Sequence, residues 1–162
     1  MNNRTESEVN CLPERKGCQE KGITPKILIE PLLRDEISTA SREIEVYCFN
    51  GKPKIFVSVR YGNPREISYY DENFNQIDLI LHPDGKNVIK NEKADCFIKQ
   101  TFDLSNQLSK NFNFVRVDWL VFNNKLFFNE LTFTPYSGFV SFNKNWQIIL
   151  GNYLKKEDYY GF

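Results

Sequence analysis

The residues best suited to chemistry lie in a predicted β-hairpin in the C-terminal half of the chain. Residues 114–122 and 125–132 are rich in Phe and Val, and the two asparagines between them favour a tight turn. If the turn is centred on those asparagines, opposing residues have numbers that sum to 247 or 248. Asp118 and Glu130 sum to 248, so we expect them to be cross-strand neighbours, with side chains about 5 Å apart.

Arg116 and Thr132 are predicted on the same face as these two acids, because side chains alternate along a strand. Two adjacent carboxylates repel each other, so either one is protonated or a cation lies between them. Oxygen ligands of this kind suit Mg2+, which keeps waters and shares its shell with phosphate oxygens. Arg116 would then hold an anion such as a phosphate or a carboxylate. The alternative is an ordinary solvent-facing strand face with a ladder of Arg and carboxylate side chains.

Further strands are predicted upstream of this hairpin. Residues 43–49 and 52–60 are β-rich runs joined by Asn-Gly, which tolerates positive φ, so they predict another hairpin. Residues 65–71 predict one more strand. Residues 26–33 form a short apolar run that predicts a buried strand, and Pro31 must end it or place it at an edge because proline has no N–H.

Two helices complete the predicted elements. Apolar residues recur at steps of three and four over residues 93–110. A second helix is predicted over residues 143–155, with one apolar face formed by Trp146, Ile149, Leu150 and Leu154. The order hairpin, helix, hairpin, helix predicts an α+β fold, in which a mainly antiparallel sheet packs against helices.

Composition excludes several classes of function. The 162 residues carry 21 Lys and Arg against 21 Asp and Glu, so the chain lacks the net basic charge needed for broad binding to nucleic acid or anionic membranes. No apolar stretch reaches the roughly 18 residues of a membrane span, and the polar, acidic N-terminal segment does not resemble a signal peptide. The cysteines match no zinc-binding spacing, which predicts reduced, structural cysteines in a cytoplasmic protein. They are Cys11, Cys18, Cys48 and Cys96.

Several short sequence segments resemble segments of the TupA-like branch of the ATP-grasp superfamily, and they occur in the same order along the chain. The resemblance spans about residues 23–155. The strings are Ile-Thr-Pro-Lys-Ile-Leu-Ile-Glu at 23–30, Tyr-Cys-Phe-Asn-Gly-Lys-Pro at 47–53, Tyr-Asp at 70–71, Phe-Val-Arg-Val-Asp at 114–118, Asn-Glu-Leu-Thr-Phe-Thr-Pro at 129–135 and Ser-Gly-Phe at 137–139. The implied fold is the C-terminal subdomain of an ATP-grasp enzyme.

The resemblance implies an ATP-dependent carboxylate–amine ligase of cell-surface polysaccharide biosynthesis, of the teichuronopeptide type. Such enzymes use ATP and Mg2+ to phosphorylate a carboxylate, and an amine then displaces the phosphate. Asp118 and Glu130 would bind the magnesium ion. Thr132 stands where ATP-grasp enzymes usually have Asn as a further ligand. Arg116 would contact the γ-phosphate or the acyl phosphate.

The resemblance also implies nucleotide contacts near the N-terminal end of the match. Glu30 ends a predicted strand where the family has its adenine hinge. Leu32 and Leu33 would supply apolar walls for adenine, whereas Pro31 has no N–H to donate. Glu43 matches the acidic residue that binds the ribose hydroxyls, and its alternative is a solvated acid at the start of a strand.

Ser137 and Gly138 would offer backbone N–H groups to an anionic substrate by the same resemblance. Their alternative is a simple turn.

The sequence departs from the family pattern at its front. ATP-grasp enzymes clamp the nucleotide between two subdomains, and the glycine-rich loop and strand Lys of the first are not found here. We therefore expect residues 1–22 to be a flexible lead-in or remnant, residues 23–155 the C-terminal subdomain, and residues 156–162 a tail. The expectation is a partial ligase that needs a partner chain or self-association. The alternative is a non-catalytic remnant that binds nucleotide weakly or binds a partner.

Overall fold

The computed structural model describes residues 41–82, 88–139 and 141–154, together with Ile27 and Ile29. The chain divides into two compact units, Met1–Leu32 and Leu33–Phe162. All regular elements of the described residues lie in the second unit. They are β1 (Ser41–Phe49), β2 (Lys52–Tyr61), β3 (Glu66–Asp71), β4 (Leu81–His82), α1 (Cys96–Ser109), β5 (Phe114–Phe122), β6 (Lys125–Thr132), β7 (Ser141–Phe142) and α2 (Lys144–Tyr153).

The second unit is built on a five-stranded antiparallel sheet with the order β3-β2-β1-β5-β6. A two-stranded antiparallel ribbon joins β4 to β7. This confirms the predicted α+β fold with a mainly antiparallel sheet. The central strand β1 belongs to the first predicted hairpin and pairs with β5, so it joins that hairpin to the one that carries Asp118.

Both hairpin turns use residues in the left-handed region. The φ angles are 49° at Asn50 and 71° at Gly51, and they are 46° at Asn123 and 55° at Asn124. Paired positive φ angles match the right-handed twist of the flanking strands, so both predicted hairpins are confirmed. A Cβ atom at Gly51 would lie 2.9 Å from the carbonyl oxygen of Lys110, which leaves room only for glycine.

The strands β1, β2 and β3 of the sheet are buried on both faces, whereas the edge strand β6 is largely exposed. One face packs on α1 through a cluster centred on Phe56, Tyr70 and Trp119, and the indole of Trp119 donates a hydrogen bond of 2.9 Å to Ser105. The other face packs under α2 and the segment around Leu79 and Leu81. A sheet covered on both sides holds its side chains in fixed directions, which is what a polar site on one face requires.

The C-terminal helix α2 carries one correction. Leu150 is 6 % exposed, and Trp146 and Leu154 pack against the same core. Ile149, predicted on that face, is instead 37 % exposed. Residues four apart align on a helix face, whereas Ile149 lies one residue and about 100° away from Leu150.

The predicted strand over residues 26–33 is described at two positions only. Ile27 and Ile29 are 81 % and 88 % exposed and belong to no strand. At these positions the expectation of a buried strand is wrong, because an apolar run without alternation does not by itself establish that its residues are buried. The other residues of the run lie outside the described ranges.

The described cysteines are free. Cys48 is fully buried, and burial raises the pKa of its thiol to about 12, whereas Cys96 is exposed. Cys11 and Cys18 lie outside the described residues. Within the ranges given above, no helix is both long enough and apolar enough to cross a membrane.

Candidate functional site

The four polar residues predicted to share one sheet face do come together. Asp118 pairs with Glu130 across β5 and β6, and Arg116 pairs with Thr132. The register expected from the turn is therefore confirmed. A β-bulge follows Asp118, after which Trp119 pairs with Phe128. Bulges bend a strand and re-aim its side chains, and they often lie next to active sites.

Arg116 binds Asp118 through two parallel hydrogen bonds. Nε donates to Oδ1 at 2.8 Å, and Nη2 donates to Oδ2 at 2.6 Å. Asp118 has no exposed surface, and Arg116 is 9 % exposed. The two residues are next-but-one neighbours on β5, so the planar guanidinium reaches the carboxylate along the strand.

The hydroxyl of Thr132 joins the two acids. Its Oγ1 lies 2.7 Å from Oε1 of Glu130 and 3.2 Å from Oδ2 of Asp118. Since a hydroxyl has one proton, it donates to one carboxylate at a time. The side chain of Glu130 is 58 % exposed, so the site opens to solvent at this acid and closes at Asp118.

Glu45 is a third acid at the site that no motif in the sequence indicates. It lies directly opposite Asp118 on β1 and is only 4 % exposed. Its Oε2 is 3.7 Å from Nη1 of Arg116, and the hydroxyl of Tyr47 donates to the same oxygen at 3.5 Å. Glu45 could be predicted only from the pairing of β1 with β5. That register cannot be read from the sequence, because the two strands are far apart in the chain and no short turn connects them.

Burial controls the ionisation of this cluster. Burial raises the pKa of Glu45 to about 7; Arg116 opposes the rise and Asp118 adds to it. Burial also raises the pKa of Asp118 to about 6, against the lowering effect of Arg116. For Arg116, burial favours the neutral form, but the hydrogen bonds to Asp118 and the charge of Glu45 outweigh it and raise the pKa. Several acids around one guanidinium make the site attractive to a further cation.

The oxygen atoms of Asp118, Glu130 and Thr132 fit the ligand preference of Mg2+. Among the described residues, no three His, Cys, Asp or Glu side chains are grouped as a metal centre. Mg2+ commonly takes only one or two carboxylates and completes its shell with water and phosphate oxygens. The guanidinium uses one lone pair of each Asp118 oxygen, so Asp118 keeps acceptor capacity for a cation.

Glu43 lies on the same sheet face, two residues before Glu45. Its carboxylate accepts a hydrogen bond of 2.6 Å from the hydroxyl of Tyr61 and a longer one of 3.5 Å from the amide of Asn129. Glu43 is thus held in position beside the cluster, and its predicted ribose contact remains a prediction.

The turn after β6 contains the predicted substrate contacts. Tyr136, Ser137 and Gly138 all have positive φ angles, of 52°, 57° and 81°. The Ser137 N–H donates to the carbonyl of Thr134 at 3.0 Å, so this donor already has a partner within the turn. Anion binding by Ser137 and Gly138 remains a prediction.

A family model for TupA-like ATP-grasp proteins matches residues 3–155. The chain belongs to the TupA-like ATP-grasp family. The match to the family model begins at residue 3, whereas the sequence segments that resemble the family begin at residue 23. No curated protein and no solved structure matches the chain.

The predicted adenine hinge lies outside the described residues. Its expected adenine contacts are Glu30, Pro31, Leu32 and Leu33, and these four assignments remain predictions.

Proposed function

We propose that this ATP-grasp chain provides the magnesium- and phosphate-binding part of a carboxylate–amine ligase. The reaction phosphorylates a carboxylate with ATP, and an amine then displaces the phosphate to form an amide. The observation that carries the proposal is the convergence of Asp118, Glu130 and Thr132 on one sheet face beside Arg116. Acids, a hydroxyl and a guanidinium are the groups that phosphoryl transfer to a carboxylate requires.

In this proposal the two acids and the hydroxyl hold a magnesium ion, which neutralises charge on the phosphate oxygens. Asp118 is the rigid member of the set, since it is buried and bound on one side by Arg116. Glu130 is the exposed member, and ligands enter from its side. Thr132 keeps the two carboxylates at a fixed separation through its hydroxyl.

Arg116 binds the transferred group. Its bonds to Asp118 use Nε and Nη2, so the donors of Nη1 are not committed to that fork. A planar guanidinium that is held by a neighbouring carboxylate keeps further N–H donors for phosphate oxygens, with little loss of entropy. Donors fixed in this way stabilise charge that develops as the phosphoryl group moves.

The remaining parts of the proposal follow the family resemblance. Glu43 binds the ribose hydroxyls, the segment around Glu30 binds adenine, and Ser137 and Gly138 bind the anionic substrate. We further propose that the reaction takes place in the cytoplasm and serves the synthesis of a cell-surface polysaccharide of the teichuronopeptide type. A partner chain or a second copy would complete the nucleotide site.

Trapping the acyl phosphate tests this proposal. The full chain is incubated with ATP, Mg2+ and a panel of uronic acids, with hydroxylamine in place of the amine. We expect hydroxamate to form and ADP to be released only when a carboxylate is present and a partner chain or a second copy completes the nucleotide site, and Asp118→Asn to abolish both. The monomer alone should form neither product. Nucleotide binding without either product would instead support a non-catalytic nucleotide-binding module. ADP release that does not depend on a carboxylate would contradict the ligase.

A further inference from the structure

Glu45 is a buried acid that the proposed reaction does not use. A buried carboxylate is costly unless charges or short hydrogen bonds compensate it. The two donors described near it are both distant, at 3.5 Å for the Tyr47 hydroxyl and 3.7 Å for Nη1 of Arg116. Glu45 therefore faces a guanidinium that makes its short bonds elsewhere.

The strand register explains this arrangement. Glu45 lies opposite Asp118, and Tyr47 lies opposite Arg116, on the adjacent strands β1 and β5. The side chain of Arg116 consequently lies between the buried acids Asp118 and Glu45, and its Nη2 is also 3.7 Å from Oε1 of the exposed Glu130. One edge of its guanidinium, formed by Nε and Nη2, contacts Asp118, and Nη1 points toward Glu45.

A divalent cation on Asp118 would compete with Arg116 for the same carboxylate. Cation and guanidinium repel each other, so the two-point contact between Arg116 and Asp118 must weaken when the cation binds. Without another anion close by, the displaced charge of Arg116 would be left uncompensated in a site from which water is largely excluded. Glu45 is the nearest buried carboxyl group that the cation does not bind.

We propose that Glu45 positions Arg116 by accepting its guanidinium when a divalent cation binds Asp118 and Glu130. The inference rests on the proposed function only in assigning the cation to those two acids. The shift needed is small, because the Nη1–Oε2 separation of 3.7 Å has to shorten by less than about 1 Å to reach ion-pair hydrogen-bond distance. Tyr47 holds the accepting carboxylate in place through its hydroxyl.

Two substitutions distinguish a positioning role of Glu45 from a role in packing alone. Glu45→Gln keeps the size of the side chain and a hydrogen-bond acceptor but removes the charge that would hold Arg116. Glu45→Asp keeps the charge but shortens the side chain by one methylene. A positioning role therefore predicts a large effect of Gln, partly restored by Asp.

Cation binding and the state of Arg116 test the proposal together. The full chain is titrated with Mg2+ alone and with Mg2+ and ADP by calorimetry, while 15N NMR follows the Nε signal of Arg116, assigned with Arg116→Lys. We expect this signal to shift on cation binding in the parent. In Glu45→Gln we expect at least a tenfold loss of Mg2+ affinity and a smaller shift of the signal at saturating cation, with Glu45→Asp intermediate. Glu72→Gln, an exposed acid paired with Lys54, serves as the matched control and should behave as the parent.

The outcomes separate this inference from the proposed function. If the parent binds Mg2+ with ADP but Glu45→Gln shows the same affinity and the same Arg116 shift, Glu45 has no positioning role and only the inference is overturned. An unchanged Arg116 signal in a parent that does bind the cation overturns it as well. If the parent binds no Mg2+ even with ADP, the proposed function fails and the inference fails with it.

Discussion

Arg116 and Asp118 form a two-point ion pair along a single strand, and the pair is almost completely excluded from solvent. A buried pair of this kind contributes little to net stability, but removal of one partner leaves the other charge without compensation, at a cost of about 3–5 kcal/mol. The pair also keeps the guanidinium beside the acid that we assign to the cation. Structural and functional effects of substitution at these two positions must therefore be measured separately.

Loss of either proposed magnesium ligand is expected to abolish magnesium-dependent nucleotide binding. Asp118→Asn and Glu130→Gln each remove a charged oxygen ligand and keep the shape of the side chain. The measurement is calorimetric titration of the full chain with ATP, in the presence of Mg2+ and again with a chelator. Glu72→Gln is the control, because that acid is exposed and distant in sequence from the site.

The same two variants should differ in stability. Asp118→Asn replaces one of the two oxygens that accept hydrogen bonds from Arg116 with an N–H donor, and is expected to destabilise the fold by about 2 kcal/mol. Glu130 is 58 % exposed, so Glu130→Gln is expected to change stability by less than about 1 kcal/mol. Denaturant unfolding of both variants measures this. Wild-type binding of ATP with Mg2+ by both variants would refute the site assignment.

Arg116→Lys should weaken binding of an acyl-phosphate mimic more than binding of ADP. Lysine has a point charge and cannot reproduce the planar contact with two oxygens, whereas ADP lacks the transferred phosphoryl group that Arg116 is proposed to hold. Competition titrations with the two ligands measure the difference. Equal losses for both would argue against a contact between Arg116 and the transferred group.

Local sequence patterns predict much of this site. The Asn-Asn turn sets the register of the strand pairs next to it, because a two-residue loop leaves little freedom. The β-bulge after Asp118 then shifts the pairing by one residue and places Asp118 opposite Glu130 and Arg116 opposite Thr132. Glu45 could not be predicted in this way. Its neighbour Asp118 is far away in the chain, and the β1–β5 register depends on which side chains fill the two cores rather than on a turn.

Stability of the cation-free protein should fall as the pH rises from about 5 to 7. The pKa of Glu45 is raised by burial from its ordinary value of 4.5 to about 7, so the folded state holds a proton that the unfolded state has already released. The contribution of this protonated carboxyl group to the free energy of unfolding is complete below the pKa of Glu45 in the unfolded state. It is lost as the pH rises through the pKa of Glu45 in the folded state. A shift of this size corresponds to about 3 kcal/mol. The charged or titratable groups that surround Glu45 are Glu43, Tyr47, Arg65, Arg116 and Asp118.

Glu45→Gln should remove this dependence, because Gln mimics the protonated acid at every pH. We expect parent and variant to be similarly stable at pH 5 and the variant to be more stable at pH 8. Denaturant unfolding at pH 5, 6, 7 and 8 provides the test. A parent whose stability is constant or increases between pH 5 and 7 would contradict a raised pKa at Glu45.

Glu92 is expected to affect stability with the opposite dependence on pH. Its carboxylate accepts hydrogen bonds from Arg60, Ser68 and the hydroxyl of Tyr70, and its N–H donates to the side chain of Gln76 at 3.2 Å. Burial would raise the pKa of Glu92, but the bonds from Arg60 and Ser68 outweigh burial and lower it. The charged form is thus favoured by the fold.

The contacts of Glu92 connect the segment that follows β3 to strands β2 and β3. Glu92→Gln should therefore destabilise the protein by about 2 kcal/mol at pH 7, because hydrogen bonds to a charged group are lost. The contribution of a lowered pKa is present above the unfolded pKa and is lost as the pH falls through the folded pKa. The difference between parent and variant should therefore shrink below about pH 4. Denaturant unfolding at pH 3.5 and 7 measures it, with Glu72→Gln as the exposed control. An effect of Glu92→Gln no larger than that of the control at pH 7 would show that the network does not stabilise the fold.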